Sequence, residues 1–286
     1  MALRINYNLA ASVAQRSLGA SQDNYARQAE KLATGLRINK AGDDAAGMAV
    51  SERLKNQVRG LNQAQRNAQD GISMVQTAEG AMSEAHNILA RMRELAIQAS
   101  NDTVTANDRA NLQVEFSSLY SEIDRIASST QFNGTAVLNG ASGNGLVLQI
   151  GANRNDTTLG DNAITLNISP SSGFQPTMLN TNFAGAGASI TSQALASGTI
   201  TVLDSAVNAV STARASLGAL QSRLESASRS IAVASENAAA ANSRIADADI
   251  AGSMSELVRA QILQQAGISV LAQANQAPSL VLQLLK

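Results

Sequence analysis

Apolar residues recur in sevens along two distant stretches of the chain. From Leu54 one column runs through Leu61, Ala68, Val75, Met82, Leu89 and Ala96. Three residues after each stand Gln57, Ala64, Gly71, Ala78, Ala85, Met92 and Ala99. Only Gln57 is plainly polar, so the two columns read as the a and d positions of one helical seam. No proline interrupts residues 44–100, and Asp43 and Asp44 stand where an N-cap and first-turn anions favour a helix start. The pattern predicts a helix over about 44–100, roughly 85 Å long at 1.5 Å per residue.

A second seam lies near the other end. Leu203, Val210, Leu217, Leu224, Ile231, Ala238 and Ile245 form one column, and Ala206, Ala213, Leu220, Ala227, Ala234, Ala241 and Ala248 the other. Every position is apolar, which predicts a helix over about 200–248. Leu112, Phe116, Leu119, Ile123 and Ile126 mark a shorter helix at about 106–128, with Thr105 and Asp108 as its capping pair. The seams are core stripes. Together the three helices predict a mainly α fold: an elongated antiparallel α-helical bundle or coiled coil built from both chain ends.

Between the helices the texture changes. Asn133-Gly134 and Asn139-Gly140 are turn formers, and LVLQIG (146–151) and AITLNIS (163–169) read as short strands. A small β-hairpin within a β/loop region at about 131–199 is expected, its last thirty residues being loop. Residues 43–248 thus form a rod domain.

Residues 1–42 and 249–286 lie outside the seams. Ile5, Leu9 and Val13 keep helical spacing, as do Ile250, Met254, Leu257 and Val258, and the chain closes on PSLVLQLLK. Burying Leu280, Val281, Leu282, Leu284 and Leu285 contributes roughly 8–15 kcal/mol. Ordering the nine terminal residues costs about 1–2 kcal/mol each, a comparable sum. The ends are therefore expected to be disordered in a lone chain and to coil together when copies pack around a common axis. Ile5, Leu9, Val13, Leu271 and the five terminal residues are the expected assembly contacts.

Composition narrows the options further. Aromatic residues are 2% of the chain and Trp is absent, so close Ala-lined helix contacts must replace aromatic packing. A net charge of −1 argues against a general nucleic-acid binder. Without Cys there is no disulfide framework or thiolate zinc site. Arg4, Asn6, Asn8, Gln15 and Arg16 break up any signal-peptide core, and no window of about 18 apolar residues can span a membrane. Export, if it occurs, is expected to bypass the ordinary secretory route.

Candidate chemistry is sparse. His86, the single histidine, lies in neither main column and reads as a helix-surface residue. An H-E-x-x-H metal site needs two histidines on one helix face. Asp43-Asp44 and Asp247/Asp249 are poorly placed to share a proton. GASGNG (140–145) lacks the G-x-G-x-x-G spacing, and the sequons at Asn101 and Asn155 mean little without a secretory signal. Neither a catalytic site nor a bound metal or cofactor is expected.

With these readings in place, the chain is identified as resembling the bacterial flagellins. The likeness rests on INYN, LATGLRINKAGDDAAGMAVSERLKNQVRGLNQA, NAQDGISMVQTAEGAM, RMRELAIQASNDT and SEIDRIASSTQFNG in the first half. In the second it rests on SRIADADIA, QILQQAGISVLAQANQAP and VLQLLK. It covers roughly residues 1–140 and 200–286. It implies a self-assembling filament subunit for swimming motility, exported by the flagellar type III apparatus without a cleaved signal peptide and added at the distal tip beneath a cap protein. Implied partners are further copies of the chain, the cap and hook–filament junction proteins and an export chaperone. The short interval between the two arms implies that the variable outer domains are missing.

RMRELAIQ (91–98) resembles the patch by which a Toll-like receptor senses many flagellins. On that resemblance Arg91, Leu95, Gln98 and Glu115 form a receptor or inter-subunit patch. Other readings are a hook–filament junction protein with similar termini, or a soluble coiled-coil adaptor. The adaptor reading leaves the apolar ends uncovered.

Overall fold

The computed structural model describes residues 8–138, 146–153, 162–166 and 189–284, with residues 166 and 277–284 as backbone alone. The predicted Asn139-Gly140 turn and most of the loop predicted at 170–199 lie outside them. Among the described residues there are five helices: α1 (Leu9–Thr34), α2 (Ala45–Ala99), α3 (Ala106–Ser129), α4 (Gln193–Ala246) and α5 (Ile250–Leu284). Two small antiparallel sheets accompany them, β1 (Gln131–Phe132) with β2 (Thr135–Ala136) and β3 (Leu146–Gln149) with β4 (Ala163–Leu166). The fold is mainly α, as predicted.

The chain forms two compact units, residues 58–235 and, separately, residues 1–57 with 236–286. In the first, α2, α3 and α4 enclose one apolar cluster that includes Met82, Leu89, Phe116, Leu203 and Leu224. Within this unit, side-chain contacts join α2 to α4. Ser235 Oγ donates to Asn62 Oδ1 at 2.9 Å, Arg214 Nη2 reaches Glu79 Oε1 at 3.4 Å, and Arg93 Nε donates to Asp204 Oδ1 at 2.7 Å. Partner numbers fall along α4 as they rise along α2, so these helices run antiparallel.

The a and d columns from Leu61 to Ala99 are buried on α2, as are Leu203 to Leu224 on α4. Toward the other end of the seam the heptad reading fails by one residue. On α4, Ala234 is exposed and Ser235 buried in its place; on α2, Gln57 is exposed while Val58 is half-buried. A straight α-helix drifts by about 20° per heptad, and this seam follows the helix rather than the sevens. In the second unit the same drift brings in Ser51, whose Oγ donates to Asn242 Oδ1 at 2.7 Å. Ala248, assigned to the seam, lies beyond the end of α4.

α4 also begins seven residues before the predicted start. Ala196 and Thr199 are buried one heptad ahead of Leu203 and Ala206, so the seam continues through a segment expected to be loop. The return of the chain into α4 is fixed by Gln113 of α3, whose Oε1 accepts from the main-chain nitrogen of Ile190 at 2.7 Å. Asn133 and Gly134 both take positive φ, the conformation that closes the tight β1–β2 turn. The β3–β4 hairpin lies on α2, where Asn67 Nδ2 donates to the carbonyl of Gln149 at 2.9 Å. Gly71 and Gly60 leave room there for Leu148 and Ala152.

Candidate assembly surface

α1 and α5 form a pair within the second unit. Asn8 caps α1, its Oδ1 accepting from the nitrogen of Ala11 at 3.1 Å, while its Nδ2 donates to the carbonyl of Ala274 at 2.8 Å. Gly267 of α5 faces Leu18 of α1, where a β-carbon would meet Leu18 Cδ1 at 3.4 Å. The helices therefore run antiparallel and close together. α1 ends at Gly35 in the left-handed conformation, φ 70°, which a β-carbon disfavours. Asp249 caps α5, accepting from the nitrogens of Ala251 and Gly252.

The chain segments that follow α1 and precede α5 bind each other. Ala248 N donates to Gly35 O at 2.9 Å and Arg37 N to Ala246 O at 2.7 Å. The Arg37 guanidinium adds two bonds to the carbonyl of Ile245. Beyond this crossing, Asp43 Oδ2 accepts from the main-chain nitrogens of Lys40 and then Asn39, which holds its carboxyl below the usual 3.8. Asp44 Oδ1 accepts from Gly47 N at 2.8 Å and starts α2. The two adjacent carboxylates thus organise two different turns.

Much of the apolar surface of the pair remains open to solvent. Leu9 and Val13 on α1 are exposed, as are Ile250, Met254, Val258, Ile262, Leu263, Ile268 and Val270 on α5. An apolar groove of about 590 Å³ runs between the helices, lined by Leu9, Val13, Leu18, Leu263 and Val270. Exposed apolar groups lie on more than one side of α5, more than α1 alone can cover. Of the predicted assembly contacts, Leu9 and Val13 are on this surface and Leu271 is half-buried. Ile5 and Leu285 lie outside the described residues, and Leu280, Val281, Leu282 and Leu284 are described as α5 backbone alone.

The second predicted patch is only partly brought together. Arg91 Nη2 meets Glu115 Oε1 at 2.9 Å and Nη1 meets Glu94 Oε2 at 3.0 Å. These bonds, Glu115 first, raise the guanidinium's pKa. Gln98 is exposed on the same helix. Leu95 corrects the expectation: it is 1% exposed and belongs to the apolar cluster, so it offers nothing to a partner at the surface. Arg91 and Leu95 are four residues apart and lean the same way, but Leu95 falls just inside the edge of the core stripe. Sequence spacing alone did not locate that edge. His86 also departs from its surface reading, being half-buried with an enclosed Nδ1.

Among the described residues no group of three or more His, Cys, Asp or Glu converges as a metal site, and no helix is long and apolar enough to cross a membrane. What the described ends of the chain do present is open apolar surface. Residues 5–142 match the family described as the bacterial flagellin N-terminal helical region, and residues 200–285 the bacterial flagellin C-terminal helical region. The flagellin of Halalkalibacterium halodurans is 46% identical over 282 residues, 99% of each chain. That of Bacillus subtilis is 43% identical over 305 aligned positions, 99% of this chain and all of the other. A solved Vibrio parahaemolyticus structure, described as a flagellar hook-associated protein, has a TM-score of 0.57 at 16% identity over 72% of this chain and all of that one, a likeness of fold alone. The alternative of a junction protein is not favoured by these full-length identities. The chain belongs to the bacterial flagellins, structural proteins of the flagellum, and is a subunit of the extracellular filament that drives swimming.

Proposed function

We propose that α1 and α5 are the segments through which copies of this flagellin hold one another in the filament, and that in a lone chain these ends are held only weakly. The open apolar surface of the α1–α5 pair carries this reading. Leu9, Val13, Ile262, Leu263, Ile268 and Val270 are each 46–61% exposed. Covering what remains of them contributes on the order of 5–10 kcal/mol per copy. Bringing two copies together costs about 4–15 kcal/mol in lost motion. A single pairwise contact therefore gains little, whereas a helical polymer gives each copy several neighbours. The same surface suits capture by an export chaperone before assembly, and contact with cap and junction proteins at the ends of the polymer. The chain has no catalytic role in this reading and leaves the cell by the flagellar export route without a cleaved signal peptide.

Seeded elongation of the purified chain, followed by electron microscopy, tests the proposal. The full chain is expected to form hollow fibres, and a chain lacking residues 278–286 to remain monomeric with its helices folded. Hydrogen exchange supplies the second test. Strong protection of residues 260–284 in the monomer overturns the idea that neighbours hold the ends.

Arg91, Gln98 and Glu115 remain exposed outside the apolar cluster and support a second contact, to the flagellin-sensing Toll-like receptor. Arg91→Ala is expected to weaken receptor signalling by monomers; undiminished signalling removes this contact.

A further inference from the structure

α5 is 35 residues long and carries two charged side chains, Glu256 and Arg259. The shorter α1 carries five over 26 residues. The α5 pair is of opposite sign, spaced i to i+3, with Arg259 Nη1 donating to Glu256 Oε1 at 2.9 Å. Both side chains are exposed, 70% for Arg259 and 51% for Glu256, among the exposed apolar residues Met254, Val258, Ile262 and Leu263. In water such a pair contributes little. In an apolar interface each charge is costly unless paired, and losing one partner strands the other. A helix otherwise stripped of charge has kept one anion and one cation, already bonded to each other.

We propose that Glu256 and Arg259 enter the interface between copies as a self-contained neutral pair, needing no counter-charge from the neighbour. The proposal rests on α5 being the inter-copy surface. It adds what that surface can tolerate: removing either charge harms assembly, while removing both, or exchanging them, does not. Exchange separates this arrangement from a key that reads a fixed charge on the next copy, because a key fails when its signs are reversed.

The experiment compares seeded elongation of the full-length chain with Glu256→Gln, Arg259→Gln, the double Glu256→Gln/Arg259→Gln, and the exchanged Glu256→Arg/Arg259→Glu. The critical concentration is measured for each, and circular dichroism of the monomers checks folding. Each single variant is expected to raise the critical concentration at least tenfold. The double and exchanged variants are expected to fall within about threefold of the parent. Singles that elongate like the parent show that the pair stays solvated in the fibre and overturn the proposal. A double variant as impaired as the singles combined, or a failed exchange, also overturns it and points to a counter-charge on the neighbour. If the parent chain does not elongate from seeds, the assembly reading itself fails, separately from any difference among variants.

Discussion

A β-carbon placed on Gly60 would stand 2.9 Å from that of Ala152 and 3.3 Å from its α-carbon. Gly60 lies inside α2, where glycine costs about 1 kcal/mol relative to alanine. Its place is therefore explained by the chain that crosses over it after β3. Gly60→Ala is expected to gain nothing, because the crossing segment must shift. In an Ala152→Gly background, where the closest contact is gone but the α-carbon still stands at 3.3 Å, the same substitution should recover part of that roughly 1 kcal/mol. A urea-unfolding double-mutant cycle measures this; additivity would mean that the contact does not constrain Gly60.

Arg109 closes the far end of α2. Its Nε donates to the carbonyl of Ala99 at 2.8 Å and its Nη2 to that of Asn101 at 2.9 Å, supplying positive charge and donors where the helix leaves carbonyls unpaired. Arg109→Ala is expected to lower stability by about 1–2 kcal/mol, with Arg109→Lys recovering part of the loss. Urea unfolding of the monomer tests both.

Ser51 fills a buried seam position, with its hydroxyl bonded to Asn242. Ser51→Ala should cost about 1 kcal/mol, the net worth of one hydrogen bond whose acceptor stays half-buried. The second substitution of Asn242→Leu should recover much of it, since an apolar pair suits the site as well. Thermal unfolding of both variants distinguishes this pairing from an incidental contact.

Acid should loosen the cap of α3. The Asp108 carboxyl is held below its ordinary 3.8, first by the hydroxyl of Thr105 and then by that residue's main-chain nitrogen. Because the folded-state value lies below the unfolded one, this support is complete above about pH 5, where the carboxyl is ionised in both states, and is lost as pH falls through the folded-state value. Asp108→Asn is expected to flatten the acid limb of a stability-versus-pH curve and to leave its shape near pH 7 unchanged. An unaltered acid limb rules out Asp108 as a contributor.

Much of this fold is legible in the sequence because the helices are long and their cores are lined by Leu, Met, Val and Ala at regular spacing. Met82, Leu89, Leu203 and Leu224 fall where the columns put them. The reading loses accuracy where the seam is polar. Ser235, Ser51 and Asn242 occupy inward positions that a search for apolar residues passes over, and counting in 3.6 rather than 3.5 would have reached them. The early start of α4 was signalled by Ala196 and Thr199, which extend the columns of Leu203 and Ala206, but Gly198 and the surrounding small polar residues obscured it. On the assembly surface, the apolar spacing of Leu9 and Val13 was visible. The Asn8–Ala274 bond and the crossing at Arg37 were not, since they depend on which distant segments meet.

That crossing has a mechanical meaning. Gly35 and Arg37 are laced to Ala246 and Ala248 through their main chains, so the outgoing and returning strands are sewn together at one level. A pull that parts the two ends must first break these hydrogen bonds together, because they sit side by side.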